Sequence, residues 1–214
     1  GDLAAHVERG ALRVTAQGAR YADGDAVDPH RQVAVYAAAT EEALADGFSG
    51  YRAAAEATDL VRTSTQLDAF SRYEHLVDRY MARRPFSALC AYDRAQLDTD
   101  TLTGLACVHP LAHGLRAPFQ LFADDPGLAL RGEVDLAGAQ LFAKALQHAV
   151  GPLDGAEVVV DVHELTFIDV RGLATLARQA HSQAGVLVLR GARAVVGRAV
   201  DLLGLTALRV EVRP

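Results

Sequence analysis

Tryptophan is absent from the 214 residues, methionine occurs once and cysteine twice. Two cysteines cannot build a disulfide scaffold, which excludes the small, disulfide-rich secreted class. Every apolar run is shorter than the ~18 residues of a membrane-spanning helix. The polar, mixed opening of residues 1–8 lacks the pattern of a secretory signal. These absences predict a cytoplasmic protein with reduced thiols and no contact with a membrane.

The chain also has fewer basic than acidic residues. The chain has 21 Lys and Arg against 27 Asp and Glu, a formal net charge of -6 at pH 7. Nucleic-acid binding depends on basic side chains that neutralise phosphates, so this balance argues against direct nucleic-acid binding. Half of the residues are hydrophobic and 22% are charged, which is the composition of a globular protein with an apolar core.

Residues 109–118, which include two prolines and a glycine, separate two stretches with different patterns of apolar residues. This segment follows a predicted helix and precedes a predicted strand, as a linker does. The sequence therefore predicts two domains, residues 1–115 and 117–214. Strands and amphipathic helices alternate along the chain, so both domains are predicted to be α/β.

The spacing of apolar residues and the helix stop signals place the elements of the first domain. Its strands are short apolar runs, and its helices carry apolar residues three and four positions apart. The predicted elements are strands at 11–15, 51–57 and 86–92, a loop at 19–30, and helices at 33–45, up to about 83 after an N-cap at Ser64 or Thr65, and at 94–106.

The second domain has a clearer alternation. Residues 157–162 are a nearly continuous apolar, β-branched run, which is typical of a parallel strand covered on both faces. The order of elements favours mostly parallel pairing. The predicted strands are 119–123, 128–134, 157–162, 186–189 and 208–212, and the predicted helices are 137–150, 170–183 and 193–203.

Three features of the second domain resemble the STAS domain, the fold of anti-sigma factor antagonists. They are Leu-Arg-Gly-Glu-Val-Asp at 130–135, the strand, loop and helix start at 160–173, and Leu-Arg-Gly-Ala at 189–192 followed by Val-Asp-Leu-Leu-Gly-Leu at 200–205. The resemblance covers about 119–214. It implies a mixed sheet packed by helices, and a partner that is a kinase-type anti-sigma factor or another STAS-pathway protein.

Asp169 stands where a helix N-cap is expected, within the longest of these motifs. In the family the next residue is commonly a Ser or Thr whose phosphorylation breaks the complex, whereas here it is Val170, which has no hydroxyl. The alternative is that Asp135 and Asp169 only cap helices. The resemblance implies partner binding without the usual covalent switch, through Asp135, Thr166, Asp169, Val170, Arg171, Gly172 and Thr175.

Four short motifs of the first domain resemble the MEDS domain, a sensory module related to the RecA-like ATPase fold. They are Gly-Tyr-Arg at 50–52 running to Glu56, Arg-Tyr-Glu at 72–74, Ala-Leu-Cys-Ala-Tyr-Asp at 88–93 and Cys-Val-His-Pro at 107–110. The resemblance covers about 30–112 and implies a sensor of the kind found in regulators of responses to small carbon compounds. Family members usually begin with a further strand and loop, so the sequence predicts an incomplete RecA-like domain.

Two acidic residues beside apolar segments are candidates for binding a small molecule. Parallel sheets usually bind ligands at the ends of their strands, where Glu56 and Glu74 are expected. A buried carboxylate needs a partner, so the structural alternative is an internal salt bridge with Arg52 or Arg72. The predicted ligand-binding residues are Glu56, Glu74, Tyr92 and His109.

Catalytic and metal chemistry have weaker support in the sequence. A phosphate-binding loop needs a lysine after its glycines, and the single lysine, Lys144, lies in a predicted helix. Cys107, His109 and His113, with Cys90 as a fourth ligand, match no standard zinc spacing. Both cysteines are interpreted as buried apolar residues, so no metal, cofactor or enzymatic activity is expected. An enzyme built on this Cys/His cluster is the remaining alternative of that class.

The sequence thus predicts a two-domain α/β protein, an incomplete RecA-like sensor followed by a STAS domain. The predicted function is that of an anti-sigma factor antagonist controlled by its sensory domain. The alternative function is a small-molecule-sensing scaffold that assembles with other STAS proteins and has no sigma-factor role.

Overall fold

A computed structural model describes residues 3–16, 24–150 and 156–213 of the chain. Both parts of it alternate helices and strands, which confirms the α/β prediction. The first part contains a 3-10 helix at Thr58–Leu60 and the following elements: α1 (Leu3–Glu8), α2 (Pro29–Ala45), β1 (Tyr51–Glu56), α3 (Ser64–Met81), β2 (Phe86–Ala91) and α4 (Thr99–Cys107).

The second part contains six strands and three helices among its described residues. It opens with a β-hairpin and continues with strands and helices in alternation. Its elements are β3 (Phe119–Asp124), β4 (Gly127–Val134), α5 (Ala139–Ala149), β5 (Glu157–Asp161), β6 (Leu165–Ile168), α6 (Val170–Ser182), β7 (Val186–Ala192), α7 (Ala194–Leu202) and β8 (Leu208–Val212).

The two parts have separate sheets. In the first, β1 and β2 pair in parallel, with Tyr51 opposite Phe86 and Glu56 opposite Ala91. In the second, the order is β3-β4-β5-β7-β8, and β6 pairs with β4 beyond the point where β5 leaves it. Only β3 and β4 are antiparallel among these pairs. The predicted mixed, mostly parallel sheet is confirmed.

Helix α3 lies at the junction of the two parts, where it packs against α2 on one side and against β3 and α5 on the other. Its apolar face contributes Phe70, Tyr73 and Val77 to the core of the first part. The core of the second part is centred on Phe119 and Phe142, whose rings meet edge to face with centroids 5.4 Å apart. No described helix is long and apolar enough to cross a bilayer.

Helices α2, α3 and α4 begin at residues other than those predicted, because polar side chains fix their first turns. Helix α2 starts at Pro29, four residues early, since Asp28 accepts a hydrogen bond from the Arg31 backbone N–H at 3.0 Å and proline suits a first helical position. Helix α3 is capped by Thr63 in a reciprocal box with Gln66, not by Ser64 or Thr65. Helix α4 starts at Thr99, after the cap residue Asp98, rather than at 94.

One strand prediction was wrong, and one strand was not predicted. Residues 12–16 form no strand and no ladder, and a bend stands at Ala11. Strand β6 was missed because it has four residues, and both Thr166 and Phe167 in its middle are exposed, so no alternation marks it. Residues 17–23, which include the first part of the predicted loop 19–30, lie outside the described residues.

Candidate functional site

A cavity of about 650 Å³ lies along β1 in the first part of the chain. Its lining includes alanines at 53, 55 and 88, on the half-buried face of the sheet, whose side chains end at Cβ and occupy little space. A volume of this size suits a small organic ligand. The larger apolar side chains of its wall include Val27, Tyr36, Tyr51, Leu60, Phe70 and Tyr73.

Polar groups stand at the edge of this cavity. The Glu56 carboxylate accepts hydrogen bonds from the Thr58 backbone N–H at 3.1 Å and from the Thr58 hydroxyl. That hydroxyl in turn accepts from the Asp93 backbone N–H at 2.8 Å. Arg52 donates to Ser87 instead, so the alternative of a salt bridge between Glu56 and Arg52 was wrong. Glu56 is held in place at the cavity edge by its own turn.

A second group of polar side chains is buried between α3, β2 and the end of α4. Glu74 Oε2 lies 3.4 Å from His109 Nε2, and Glu74 Oε1 lies 3.6 Å from Cys90 Sγ. One ligating atom from each of the three residues lies within 4.8 Å of the other two. The neighbours of Glu74 are therefore His109 and Cys90, and the alternative of a salt bridge to Arg72 was wrong. We call these three residues the buried triad.

Other ionisable groups surround the buried triad. Tyr92 lies against His109 with ring centroids 6.4 Å apart and planes at 83°. Burial raises the pKa of Glu74, and the nearby His109 acts in the opposite direction. Burial and then the charge of Glu74 raise the pKa of Asp78 to about 7. Burial lowers the pKa of His75 to about 3, with smaller contributions from His148 and Arg79.

The orientation of His109 is fixed from outside the buried triad. Its Nδ1 lies 2.7 Å from the carbonyl oxygen of Leu105, which can only accept, so Nδ1 carries the proton. The other ring nitrogen, Nε2, is buried and has no hydrogen-bond partner among the described residues. Nε2 lies 3.4 Å from Glu74 Oε2, which is within the range of an ion pair. The two groups are not aligned for a hydrogen bond. The Nε2 atom of His109 therefore faces Glu74 and Cys90.

The cysteine and histidines considered as zinc ligands do not come together as that alternative required. Cys107 is fully buried in the core of the second part, beside Phe119 and Phe142. His113 is exposed. Of the residues in that alternative, Cys90 and His109 meet, and Glu74 is their third neighbour. The sequence indicated each of these three residues separately. They lie far apart in the chain, so no local pattern predicted that they would be in contact.

The buried triad lies directly beside the second part of the chain. Gln120 on β3 donates a hydrogen bond to the backbone carbonyl of His109 at 2.8 Å. Arg79 on α3 donates to the Ala149 carbonyl at 2.9 Å. Asp78 accepts from the backbone of Ala123. These polar contacts connect α3 and the end of α4 to β3 and α5.

In the second part, the predicted partner residues gather where β4 and β6 end. Val134 pairs with Ile168, so the following residues, Asp135 and Asp169, leave the sheet side by side. Asp169 accepts from the Gly172 N–H at 2.7 Å and caps α6. Asp135 accepts from the Gly138 N–H at 3.0 Å before α5. Asp169 therefore caps a helix as the structural alternative required, whereas Asp135 holds the turn before α5, whose N-cap residue is Gly138.

Three exposed apolar side chains flank these carboxylates in the chain. Leu136 is 62% exposed, Phe167 50% and Val170 56%. Exposed apolar residues in one region, bordered by polar groups, are typical of a protein-binding surface. The sequence prediction included Val170 but missed Leu136 and Phe167. Phe167 lies in the short strand β6, which was not predicted, and Leu136 follows the end of β4. We call Asp135, Leu136, Phe167, Asp169 and Val170 the β4–β6 surface.

The remaining predicted partner residues have internal contacts. Thr166 donates to the Gly132 carbonyl at 2.9 Å and thereby joins β6 to β4. Thr175 donates to the Arg171 carbonyl of its own helix at 2.8 Å. A Cβ at Gly172 would stand 2.7 Å from Ile168 Cγ1, so this glycine allows α6 to pack on the sheet. Arg171 is exposed beside Val170.

The chain thus has an α/β unit that contains a cavity, followed by a second α/β unit with an exposed apolar surface. Comparison with known families finds one family match for each unit. Residues 1–110 match the MEDS family, described as the methanogen/methylotroph DcmR sensory domain. Residues 119–210 match the family described as the Mlab STAS domain. The chain belongs to the MEDS family and carries a STAS domain after its sensory domain. This is the composition of a signalling or regulatory protein. No curated protein matches the chain.

Proposed function

We propose that this chain is a cytoplasmic regulator of the anti-sigma factor antagonist type, whose STAS domain binds a kinase-type anti-sigma factor. The β4–β6 surface is the observation that supports this role. Phe167 and Val170 offer apolar contact area, and Asp135 and Asp169 stand beside them on neighbouring strand ends. An aromatic residue within a mixed surface is a common centre of binding energy in protein complexes.

Control of this binding is proposed to come from the sensory domain. Val170 has no hydroxyl, so a phosphate cannot be added at the position where the family commonly carries one. A small molecule in the cavity along β1 would instead favour one arrangement of α3 over another, and so change the fraction of binding-competent chains. The contacts of Gln120 with His109 and of Arg79 with Ala149 join the two domains physically.

The ligand is proposed to be a small, largely apolar molecule. Aromatic and aliphatic side chains make up most of the cavity wall, which also includes Arg13, Gln32 and Arg52. The volume of about 650 Å³ is within the usual range of ligand sites. Among the described residues that line the cavity, Glu56 carries the carboxylate. We propose binding and not catalysis at both sites, because Glu56, Asp135 and Asp169 are each held by local backbone N–H groups.

The test is affinity capture from the native cell extract with three forms of the chain. Val170→Asp places a charge in the β4–β6 surface, and Val195→Asp is the matched control. Both valines are 56% exposed and lie in the first turn of a STAS-domain helix, where an acidic residue favours the helix. We expect the wild type and Val195→Asp to retain an ATPase-fold anti-sigma protein, and Val170→Asp to bind it roughly tenfold more weakly or worse.

Equal capture by all three forms would exclude the β4–β6 surface. The alternative function, a scaffold that assembles with other STAS proteins, is favoured by the missing hydroxyl at Val170, since a scaffold needs no kinase. Recovery of STAS chains alone would support the scaffold. Phosphate mapped to the segment around Val170 after incubation with the captured kinase and ATP would contradict the proposed mode of control.

A further inference from the structure

We propose that Glu74, Cys90 and His109 form a binding site for a single divalent transition-metal ion of the zinc type. A thiolate, an imidazole and a carboxylate are the three kinds of side chain that bind zinc in proteins. Each comes from a different element, α3, β2 and the end of α4. This proposal does not depend on the anti-sigma role of the STAS domain.

The distances within the buried triad fit such an ion. Zinc bonds are about 2.0–2.2 Å to nitrogen and oxygen and about 2.3 Å to sulfur, so tetrahedral neighbours stand about 3.4 Å apart for N and O and about 3.6 Å for S and O. The separation of His109 Nε2 from Glu74 Oε2 is 3.4 Å, and that of Cys90 Sγ from the other oxygen, Glu74 Oε1, is 3.6 Å. A single Glu74 oxygen lies within 4.8 Å of both partner atoms. The third pair, Cys90 and His109, is within 4.8 Å.

His109 is oriented as a metal ligand needs to be. A ligating histidine almost always donates its second ring N–H to a carbonyl or carboxylate, which fixes the tautomer and the ring plane. Here Nδ1 donates to the Leu105 carbonyl at 2.7 Å, and Nε2 is the buried nitrogen without a hydrogen-bond partner among the described residues. A buried polar atom without a partner is costly unless something binds it, and a metal ion at the centre of the buried triad would bind Nε2.

A fourth coordination position would remain for water or a small molecule. Sites with three protein ligands usually keep that position open. Cys90 also lines the cavity along β1, so the open position would be reached from the cavity side. This step rests on the proposed ligand cavity, and it predicts that molecules with an oxygen, nitrogen or sulfur donor bind more tightly to the metal-loaded chain.

The experiment is a titration of the metal-free full chain with Co²⁺ in the presence of a reductant, followed by competition with Zn²⁺. We expect the near-ultraviolet thiolate-to-cobalt absorption and the visible bands of tetrahedral cobalt, both removed by zinc. Cys90→Ala should lose the thiolate band. Glu74→Gln and His109→Gln should weaken metal binding by at least roughly 10–100-fold. That is the loss caused by removing a residue that only hydrogen-bonds to a metal ligand.

Cys107→Ala is the matched control, because it removes the other cysteine, which lies in the STAS core. It should retain the thiolate band unchanged, and His113→Gln should also bind normally. Absence of the thiolate band from both the wild type and Cys107→Ala would overturn the proposal, even if Cys90→Ala failed to fold. A band that persists in folded Cys90→Ala would overturn it too. Partner capture by the STAS domain is a separate readout, so the two proposals fail independently.

Discussion

The carboxylate of Asp169 illustrates how one side chain can belong to a binding surface and to the fold together. Its Oδ1 accepts from the Gly172 N–H at 2.7 Å at the start of α6. Replacing it by a large cation would remove this cap, so any loss of partner binding would have two explanations. Val170, the next residue, is exposed and caps nothing, which makes it the better position for testing recognition.

A pair of substitutions separates the cap from the charge. We expect Asp169→Ala to lower the free energy of unfolding by about 1 kcal/mol, because an orphan N–H of α6 loses its acceptor. Asp169→Asn should remain within roughly 0.5 kcal/mol of the wild type, since its amide oxygen can accept the same bond. Urea unfolding measures both variants. Equal destabilisation by Ala and Asn would mean that the negative charge stabilises the helix, and the hydrogen bond does not.

At the scale of single elements, glycine has different functions in the two helices α6 and α7. A Cβ at Gly172 would lie 2.7 Å from Ile168 Cγ1 and 3.0 Å from Val134 Cγ1. Both contacted atoms belong to β-branched side chains with little freedom to move. A Cβ at Gly197 in α7 would meet only Val210 and Val212, each at 3.7 Å, which is ordinary contact.

Substitution by alanine at these two positions should therefore have opposite effects. Gly172→Ala is expected to destabilise the protein by about 1–2 kcal/mol, because crowding against the sheet exceeds the gain in helix propensity. Gly197→Ala is expected to stabilise it by up to about 1 kcal/mol through that gain alone. The midpoints of thermal or urea unfolding report both. A stabilised Gly172→Ala would show that α6 can move away from β4 and β6 without loss.

The elements that the sequence predicted well are those whose burial follows a simple pattern. Strand β5 and helix α3 carry runs or stripes of apolar residues, and both were predicted to within a few residues. Strand β6 and the starts of α2 and α4 depend on pairing or on single hydrogen bonds, which composition does not reveal. Of the buried triad, Glu74 and His109 were chosen individually, but no local pattern joins residues 35 positions apart.

On the scale of the whole molecule, the junction between the two domains is partly ionic. His148 on α5 lies 3.7 Å from Asp68 on α3, and Lys144 lies 4.0 Å from the same carboxylate. Burial is the main cause that lowers the pKa of His148; Arg72 and Lys144 act in the same direction, and Asp68 opposes them. His75, also on α3, is a further positive neighbour when protonated. Acid should therefore act on this junction through His148.

The sign of the effect follows from proton binding. In the unfolded chain His148 has a pKa of about 6.5, and in the folded chain its pKa is lower. The unfolded state therefore binds more protons below about pH 6.5, so the contribution of His148 to stability falls as the pH falls through that value. Above that pH both states are neutral at this residue, and the contribution does not change.

The difference in unfolding free energy between wild type and His148→Gln reports this group. Glu74 and Asp78 have no interaction with His148 among the causes of their pKa shifts, and His75, which does, has a folded-state pKa of about 3, well below the range tested. We expect the wild type to lose stability relative to His148→Gln between pH 7.5 and 5.5, by at most about 1.4 kcal/mol per pH unit. Asp68→Asn removes the opposing charge, so it should lower the pKa of His148 further and steepen the loss. Urea unfolding at the two pH values measures each variant. A difference that stays constant over this range would mean that His148 has the same pKa in both states, and that Asp68 fully offsets the burial of the ring at the junction.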